Sequence, residues 1–391
     1  MRRTFLFVLL CFLLAPALTV APVRAEEPAS LSIISANISG LPAALTKYGR
    51  DTEKTQKTLG EMLDLSGYDI ICVQENYNYD KIFGAEMDNY PYRTYTTGGV
   101  PVGDGLDIFS VYPIYNVKRV AWKNFNGVFT DGCDALCPKG FISCTVDVNG
   151  VLIDLYNVHM DAYRTEADQY AKKAQLEQLA EYIEAHSEER PVLIVGDTNL
   201  TFHKDPLAEM HRILIEEGGF TDCWVEVKNN GNYMQDEDGP AIIDRWYARF
   251  GGHDWGRWDS VERLFYRDGG GVSFSPTRFE YSIYTDDPSN VKALTDHRMM
   301  ECVLQMECEG YARPADAMLG LPKKPSVIAK CFFGAAMLLR FCGIVLWGGV
   351  TYLWQRYPLI TVLLAVSLAT LIFIAVKKRK RKKKMLAKRA R

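Results

Sequence analysis

The chain has 391 residues, of which 24% are charged and 48% hydrophobic, and its formal net charge is −3. Residues 377–391 hold 11 lysines and arginines and no acidic residue, so residues 1–376 together carry −14. An acidic body argues against a general nucleic-acid-binding protein, whose affinity would come from lysines and arginines that neutralise phosphates. Both ends of the chain have compositions unlike a globular domain, which leaves room for one large domain between them.

The N-terminus has the three parts of a secretory signal peptide. Met1-Arg2-Arg3 precedes an apolar stretch at residues 5–14, and Val23-Arg24-Ala25 offers small residues for cleavage. We therefore expect a signal peptide over residues 1–25 and export of the body of the protein. The alternative is an uncleaved N-terminal anchor, for which the apolar stretch is short.

The C-terminus contains two apolar runs, at residues 332–354 and 359–376, followed by eight consecutive lysines and arginines at 377–384. The second run is uncharged and near the roughly 18-residue length of a spanning helix, whereas the first contains Arg340. A basic cluster resists translocation, so we expect a cytoplasmic tail. An exported body with a cytoplasmic tail requires an odd number of spans, which would make the first run interfacial or re-entrant. A transmembrane hairpin is the alternative.

The expected organisation is a signal peptide at 1–25, a catalytic body at 26–310, a linker at 311–330, membrane segment(s) at 331–376 and a basic tail at 377–391. The body would lie on the extracellular or lumenal face of a membrane. Hydrophobic patterning within it predicts strands at residues 31–37, 68–75, 105–110, 140–148, 151–159, 192–195, 261–266 and 299–305, and helices at 52–65, 167–186 and 206–217. Many strands with few helices indicate an α+β sandwich of two sheets with helices outside.

Two pairs of cysteines are close in sequence. Cys133 and Cys137 could form half of a zinc site, a redox pair or a local disulfide, and export favours the disulfide. Cys302 and Cys308 are a second candidate pair.

Several predicted strands end in polar residues of similar chemical kind. Asn37, Glu75 and His159 each end a strand, Asp197 and Asn199 end another, and Asp296-His297 precedes the last one. Oxygen ligands suit a hard cation such as Mg²⁺, and two histidines suit proton transfer and charge stabilisation. The pattern therefore predicts a cation site, with histidines for proton transfer and charge stabilisation, at the strand ends.

These residues lie in segments that resemble the ordered motifs of the endonuclease/exonuclease/phosphatase superfamily, over about residues 31–305. The segments are Val73-Gln74-Glu75, Asn157-Val158-His159-Met160-Asp161, Gly196-Asp197-Thr198-Asn199 and Asp296-His297. Asn157 to Ala162 is similar to the Asn-Thr-His-Leu-Asp-Ala form of the neutral sphingomyelinase branch. The stretches from Gly132 to Phe141 and from Gly103 to Leu106 are also similar to that branch. The resemblance implies a four-layered α/β/β/α sandwich, here with a C-terminal transmembrane helix or hairpin.

The resemblance also implies roles for individual residues. Glu75 and Asn37 would hold Mg²⁺, or Mn²⁺ or Co²⁺ in its place. His297, grouped with its neighbour Asp296, would be the general base on the attacking water, so activity should rise with pH through a pKa near about 6.5, shifted by the carboxylate that orients the ring. Asp197 and Asn199 would position that water. His159 would donate to a non-bridging phosphoryl oxygen. Lys139 would be either a phosphate ligand or a solvated charge.

The chain departs from the family pattern before the last strand. The family has an aspartate there that orients the final histidine, whereas this chain has Glu262 in Val261-Glu262-Arg263. Glu262 could do the same with one more methylene, and Asp254 and Asp259 are alternative partners.

The implied activity is that of a metal-dependent phosphodiesterase acting on a phospholipid, foremost sphingomyelin, which it would cleave to ceramide and phosphocholine. Choline, ethanolamine and inositol head groups all stay open, and a surface nuclease, another phosphoesterase or a non-catalytic binding module are the alternatives. Aromatic residues at 246–258 would form a lipid-facing loop or pack locally. The expected partners are a phospholipid and the membrane, without nucleic acid.

Overall fold

A computed structural model describes residues 30–45, 52–128, 131–187, 189–200, 207–233, 261–282, 284, 294–314 and 319–357. The predicted signal peptide, the aromatic segment at 246–258 with Asp254, the nearby Asp259, the second apolar run and the basic tail lie outside these residues. The roles expected of those segments, and the expected division into domains, stay predictions.

Two six-stranded mixed sheets form the body. The first sheet has the order β11-β12-β1-β2-β4-β3. Its strands are β1 (Leu31–Asn37), β2 (Ile70–Gln74), β3 (Tyr92–Arg93), β4 (Asp107–Ser110), β11 (Ser273–Ser282) and β12 (Met299–Glu307). The second sheet has the order β5-β6-β7-β8-β10-β9. Its strands are β5 (Ile114–Ala121), β6 (Gly140–Val148), β7 (Val151–His159), β8 (Val192–Asp197), β9 (Thr221–Asp222) and β10 (Glu262–Arg267).

Helices flank the two sheets. They are α1 (Thr52–Asp64), α2 (Asp80–Phe83), α3 (Glu166–Ser187), α4 (Leu207–Met210), which continues as a π-helix over His211–Glu217, α5 (Cys223–Lys228) and α6 (Val327–Arg356). A 3₁₀ helix at Ala43–Leu45 and another at Asp131–Leu136 lie in loops. The expectation of two sheets with helices outside is confirmed.

The alternation of side chains along β1 builds two core layers. Ile34 and Ala36 pack with Leu59 and Leu63 of α1, on the outer face of the first sheet. Ile33, from the opposite face of β1, belongs to the larger core that also contains the second sheet and α3. Since successive residues of a strand point to opposite faces, one short apolar strand contributes to both layers.

Several strands were missed because they lie at sheet edges or carry polar residues. β5 is an edge strand that includes Lys118 and Arg119, and β11 is an edge strand interrupted at Pro276 by a register shift. Proline and charged residues are tolerated at edges, where one side of the strand needs no partner, and they hide the period-2 pattern.

The proposed pairing of Cys302 with Cys308 is wrong. Cys302 lies within β12 and Cys308 directly follows it, so six residues of extended chain place them roughly 20 Å apart. A disulfide needs Cα atoms within about 7 Å of each other. Cys137 is a free thiol, whereas the side chain of Cys133 lies outside the described part of the chain, so the favoured disulfide between them stays a prediction.

The first apolar run forms α6, which lies outside both sheets. Its segment Ile328–Thr351 is long and apolar enough to cross a membrane by length and composition, with 6% of its most apolar window buried. Among the described residues it is the one helix with that property.

A buried amide joins the two sheets beside the strand ends that carry the polar residues. Asn157 of β7 donates to the carbonyl oxygens of Val73 at 3.0 Å and Asp107 at 2.9 Å, and its Oδ1 accepts from Gln74 Nε2 at 2.7 Å. Asn157 and Gln74 are both fully buried. A buried polar group without a partner is costly, so these bonds fix the spacing of the sheets at this end.

We predict that Asn157→Ala destabilises the protein by at least about 2 kcal/mol, because it leaves buried groups on two strands of the first sheet without partners. The measurement is thermal or urea unfolding of the purified full-length protein in detergent, followed by tryptophan fluorescence. Asn89→Ala, which removes an exposed amide bonded to Asp64, is the matched control and should change stability by less than about 0.5 kcal/mol. Equal stability of the two variants would contradict the bridging role.

Candidate active site

Two parallel strand pairs bring the predicted site residues to one edge of the sandwich. In the first sheet β1 and β2 are parallel, with Asn37 opposite Gln74. In the second sheet β7 and β8 are parallel, with His159 opposite Asp197. Parallel neighbours end on the same side, so polar residues at their carboxyl ends become neighbours. Glu75 follows β2 with a left-handed φ of 57°, an unusual conformation for a residue other than glycine.

Asn37 connects the carboxylates of the two sheets. Its Nδ2 donates to Glu75 Oε1 at 3.2 Å and to Asp197 Oδ2 at 3.0 Å, while its Oδ1 accepts from the backbone N–H of Ser39. The side chain is fully buried. Asn37 therefore acts here as a donor that holds two carboxylates close together, and its role as a metal ligand stays a prediction.

Glu262 supplies the carboxylate that pairs with His297. It begins β10 directly opposite Asp197 of β8, and its Oε1 lies 2.6 Å from Nδ1 of His297. Glu262 is fully buried, and the same Nδ1 lies 3.8 Å from Asp197 Oδ2. The longer side chain of Glu262 thus reaches His297, as expected if Glu262 replaces the aspartate that the family has before the last strand.

The surroundings of His297 favour its protonated form. Burial lowers the pKa of the imidazole, but the hydrogen bond with Glu262 and the negative charges of Glu262, Asp197 and Asp296 outweigh burial and raise it to about 10. The expected pKa near 6.5 therefore does not describe the metal-free protein. An imidazolium cannot accept a proton, so a base at this position needs a further positive charge nearby to lower the pKa.

His159 lies in the opposite electrostatic environment. Burial, together with the positive charges of Lys139 and His297, lowers the pKa of His159 well below its usual value, which keeps the ring neutral. Its Nε2 lies 3.6 Å from Asp197 Oδ2 and 3.9 Å from Glu75 Oε1. Among the described residues its Nδ1 has no hydrogen-bond partner. A neutral ring with an N–H toward this space can donate to an oxygen without bringing in net charge.

Lys139 is a buried cation at the border of the site rather than a solvated one. Its Nζ lies 2.6 Å from Asp134 Oδ1 and donates to the carbonyl oxygen of Met160. Burial lowers the pKa of Lys139, but the adjoining Asp134 carboxylate outweighs burial and raises it above the ordinary value. Asp161 accepts from the Asn126 backbone N–H and from Gln175, in keeping with a loop-shaping role.

The remaining predicted residues lie at the margin of this cluster. Asn199 donates from its backbone N–H to Asp197 Oδ1 at 3.0 Å, and its side-chain amide donates to the carbonyl oxygen of Met160. Asp296 is exposed, and its charge raises the pKa of both Glu75 and His297. For Glu75, burial is the larger cause of a raised pKa.

Sequence reasoning assigned no role to three buried residues that support the site. Gln74 and Asn157 join the sheets next to Glu75 and His159, and Lys172 of α3 donates to the carbonyl oxygens of Tyr163 and Asn199. Gln74 and Asn157 lie inside the recognised motifs. Each is a polar residue at a core-facing strand position, and that placement could have indicated a buried hydrogen bond between the sheets. Lys172 stands on a helix of many charged residues, and no local pattern distinguishes it.

The donors present fit a hard divalent cation. Ligand atoms of Asp197, Glu262 and His297 all lie within 4.8 Å of one another, and Glu75 reaches the same space through Asn37. Carboxylate oxygens dominate this set, and such oxygens are the preferred ligands of Mg²⁺. Because His297 and Glu262 are already hydrogen-bonded to each other, Glu75 is the carboxylate better placed to face a cation.

The chain belongs to the endonuclease/exonuclease/phosphatase family, which it matches over residues 34–297. It is 26% identical over 274 residues to sphingomyelinases of Mycobacterium tuberculosis and Mycobacterium bovis, a match that covers 68% of this chain and 51% of each relative. The chain thus spans about half the length of these curated relatives. The resemblance to the family and its sphingomyelinase branch, drawn from the motifs, is confirmed.

Solved structures share the fold. Sphingomyelinase C from Streptomyces griseocarneus is 18% identical with a TM-score of 0.50, covering 71% of this chain and 99% of that one. D. rerio TDP2 complexed with a single-strand DNA product is 16% identical with a TM-score of 0.52, covering 71% and 100%. At these identities the likeness establishes the four-layered sandwich alone.

We predict that His297 in the metal-free protein stays protonated well above pH 7. Its pKa is raised above the unfolded value of about 6.5, so its stabilising contribution is complete below pH 6.5 and is lost as pH rises toward about 10. Histidine NMR titration in EDTA would measure this, with His297→Gln identifying the signal. A midpoint at or below 6.5 in EDTA would contradict the electrostatic account, and added Mg²⁺ should move the midpoint down.

Proposed function

We propose that this protein is a divalent-metal-dependent phosphodiesterase that hydrolyses sphingomyelin to ceramide and phosphocholine. The observation that carries the proposal is the junction of the two sheets, where Glu262 and His297 are hydrogen-bonded at 2.6 Å beside Asp197 and the Asn37–Glu75 pair. A paired histidine, a neutral histidine and several carboxylates around one space supply a base, a donor and metal ligands, which together can hydrolyse a phosphoester.

In this proposal His297 and Glu262 form the general base. Glu262 fixes the ring by binding Nδ1, which leaves Nε2 to take the proton from the attacking water. Asp197, held by the backbone N–H of Asn199, orients that water. His159 donates from Nε2 to a non-bridging phosphoryl oxygen as negative charge grows, and Lys139 contributes positive charge at the border of the site.

Glu75 and Asn37 are proposed to hold Mg²⁺, with Mn²⁺ or Co²⁺ as alternatives. Asn37 would have to present Oδ1 to the ion, which requires its amide to turn away from the Ser39 N–H that Oδ1 accepts from. A bound divalent cation would stabilise the negative charge on the phosphoryl and leaving oxygens, and its charge would lower the pKa of His297 toward neutrality.

Sphingomyelin is the proposed substrate for three reasons. The matched mycobacterial relatives are sphingomyelinases, residues 1–376 together carry −14 and are therefore poorly suited to a polyanion, and the apolar helix α6 would keep the site near lipid. The proposal includes an exported body and a cytoplasmic basic tail, as the sequence of the two ends indicates.

A nuclease is the second candidate, because a structural neighbour with the same fold was solved with a single-strand DNA product. The chemistry at phosphorus would be the same. The difference between the candidates lies in the charge around the site, since a nuclease needs basic residues along the path of its substrate.

We predict that the full-length protein in mixed micelles cleaves sphingomyelin in the presence of Mg²⁺ and loses that activity in EDTA. Phosphatidylcholine and single-stranded and plasmid DNA should be cleaved far more slowly. Glu75→Gln should show little activity at any Mg²⁺ concentration, because an amide lacks the charge that attracts the ion. Cleavage of DNA in preference to sphingomyelin would favour the nuclease, and full activity of Glu75→Gln in EDTA would remove the metal from the reaction.

Glu262 gives a sharper test of the base. Glu262→Gln should lower kcat by a factor on the order of 10² to 10⁴, similar to His297→Ala, with little change in KM. Glu262→Asp removes one methylene and keeps the charge, so it should retain more activity than Glu262→Gln. If Glu262→Gln keeps near-normal kcat and an unchanged pH profile, the orienting role belongs to another carboxylate.

A further inference from the structure

One face of α6 lies along the body over most of the helix. The positions that are partly or fully covered recur every three or four residues, which is the spacing of a single helical face. They are Gly334, Met337, Arg340, Phe341, Ile344, Val345, Gly348, Gly349 and Thr351. Because the stripe runs nearly straight along the helix, α6 and the body are side by side rather than end to end.

Specific contacts define this packing. The guanidinium carbon of Arg340 lies 4.8 Å from the centre of the Phe125 ring. At Gly348 a β-carbon would come within 2.6 Å of Val128 Cγ1, so the helix approaches the body as closely as only glycine allows. Before the helix begins, Gly320 and Asn116 of β5 exchange hydrogen bonds of 2.8 and 2.9 Å.

The opposite face of α6 is apolar and uncovered. Its large side chains are between 69% and 76% exposed, namely Ile328, Phe332, Leu339, Leu346 and Trp347. Arg340 is the one charged residue between Lys330 and Arg356, and it points to the body. The outer face therefore presents an uninterrupted apolar strip, larger than a water-exposed helix usually carries.

The packing is incompatible with a helix that crosses a membrane upright. From Phe333, which lines a cavity together with Tyr95 and Asn116 of the body, to Gly348, the helix rises about 22 Å, which is most of the roughly 30 Å hydrocarbon thickness. Over that length it lies against the body, whose facing loop includes Asn124 and Asn126 and the 3₁₀ helix Asp131–Leu136. Irregular polar backbone facing lipid at that depth is not tolerated.

We propose that α6 lies in the plane of the membrane interface, with the body on its inner face and the outer apolar strip in the lipid. The chain itself indicates lipid as the occupant of the strip. Directly beyond α6 it continues into an uncharged apolar run and eight consecutive basic residues, so the end of the helix is held at a membrane.

This arrangement goes beyond the proposed reaction, because it concerns how the body is held on the bilayer. The loop that α6 contacts carries Asp134, the partner of Lys139 beside the active site. The interfacial helix would thus lie against the same loop that borders the site.

Cross-linking of the full-length protein in its native membrane tests the packing. Phe125→Cys combined with Arg340→Cys, in a background of Cys331→Ser and Cys342→Ser, should be joined by a short thiol-specific bifunctional cross-linker, because the two native side chains are in contact. The matched control is Phe125→Cys with Leu339→Cys, which places a thiol at a similar height on the outer face and should not cross-link. Absence of the first cross-link, with both thiols still labelled by maleimide after solubilisation, would overturn the packing.

Depth measurements test the orientation independently of activity. A spin label introduced by Phe332→Cys, Leu339→Cys or Leu346→Cys, each in the same Cys331→Ser, Cys342→Ser background and in phosphatidylcholine vesicles, should report similar shallow depths from oxygen and nickel-chelate accessibility. An upright span would place the label at Leu339 roughly 10 Å deeper than the other two, and that profile would overturn the proposal.

Discussion

The amide of Asn37 is the contact on which the site depends, because it joins carboxylates that belong to different sheets. Glu75 follows a strand of the first sheet and Asp197 ends a strand of the second, and each accepts a hydrogen bond from the same Nδ2. Two neighbouring carboxylates repel each other unless a donor or cation lies between them. The spacing of the sheets, which Asn157 maintains nearby, therefore sets the size and charge of the space in which chemistry can occur.

The same space gives its two histidines opposite properties. His297 faces three carboxylates, which raise its pKa to about 10, whereas burial and two neighbouring cations lower the pKa of His159. Two titratable groups whose pKa values are shifted in opposite directions are typical of sites that need both a proton acceptor and a neutral donor. The excess of carboxylates also explains why the site suits a divalent cation, since without one the intended base stays protonated.

The body contains the candidate active site, whereas α6 presents an apolar face. In the proposed reaction the scissile bond lies at a membrane surface, and a helix packed along the side of the body can set both the distance and the orientation. Arg340 fits this arrangement, because a charge that would be costly in hydrocarbon is used to contact Phe125 of the body.

The sequence by itself determined the strands that carry the motifs and the family, since these depend on local alternation and on residues near strand ends. It also predicted that polar residues from Asn37 to His297 meet at the strand ends, and their roles stay predictions. It predicted β6 and β7 at their observed limits, but missed the edge strands β5 and β11, whose polar residues hide the pattern. Only the tertiary structure decided that Glu262 reaches His297, that Asn37 bridges two carboxylates and that Cys302 cannot pair with Cys308. These outcomes depend on distances between segments far apart in the chain, and on the electrostatic sum of all neighbours, which no local pattern contains.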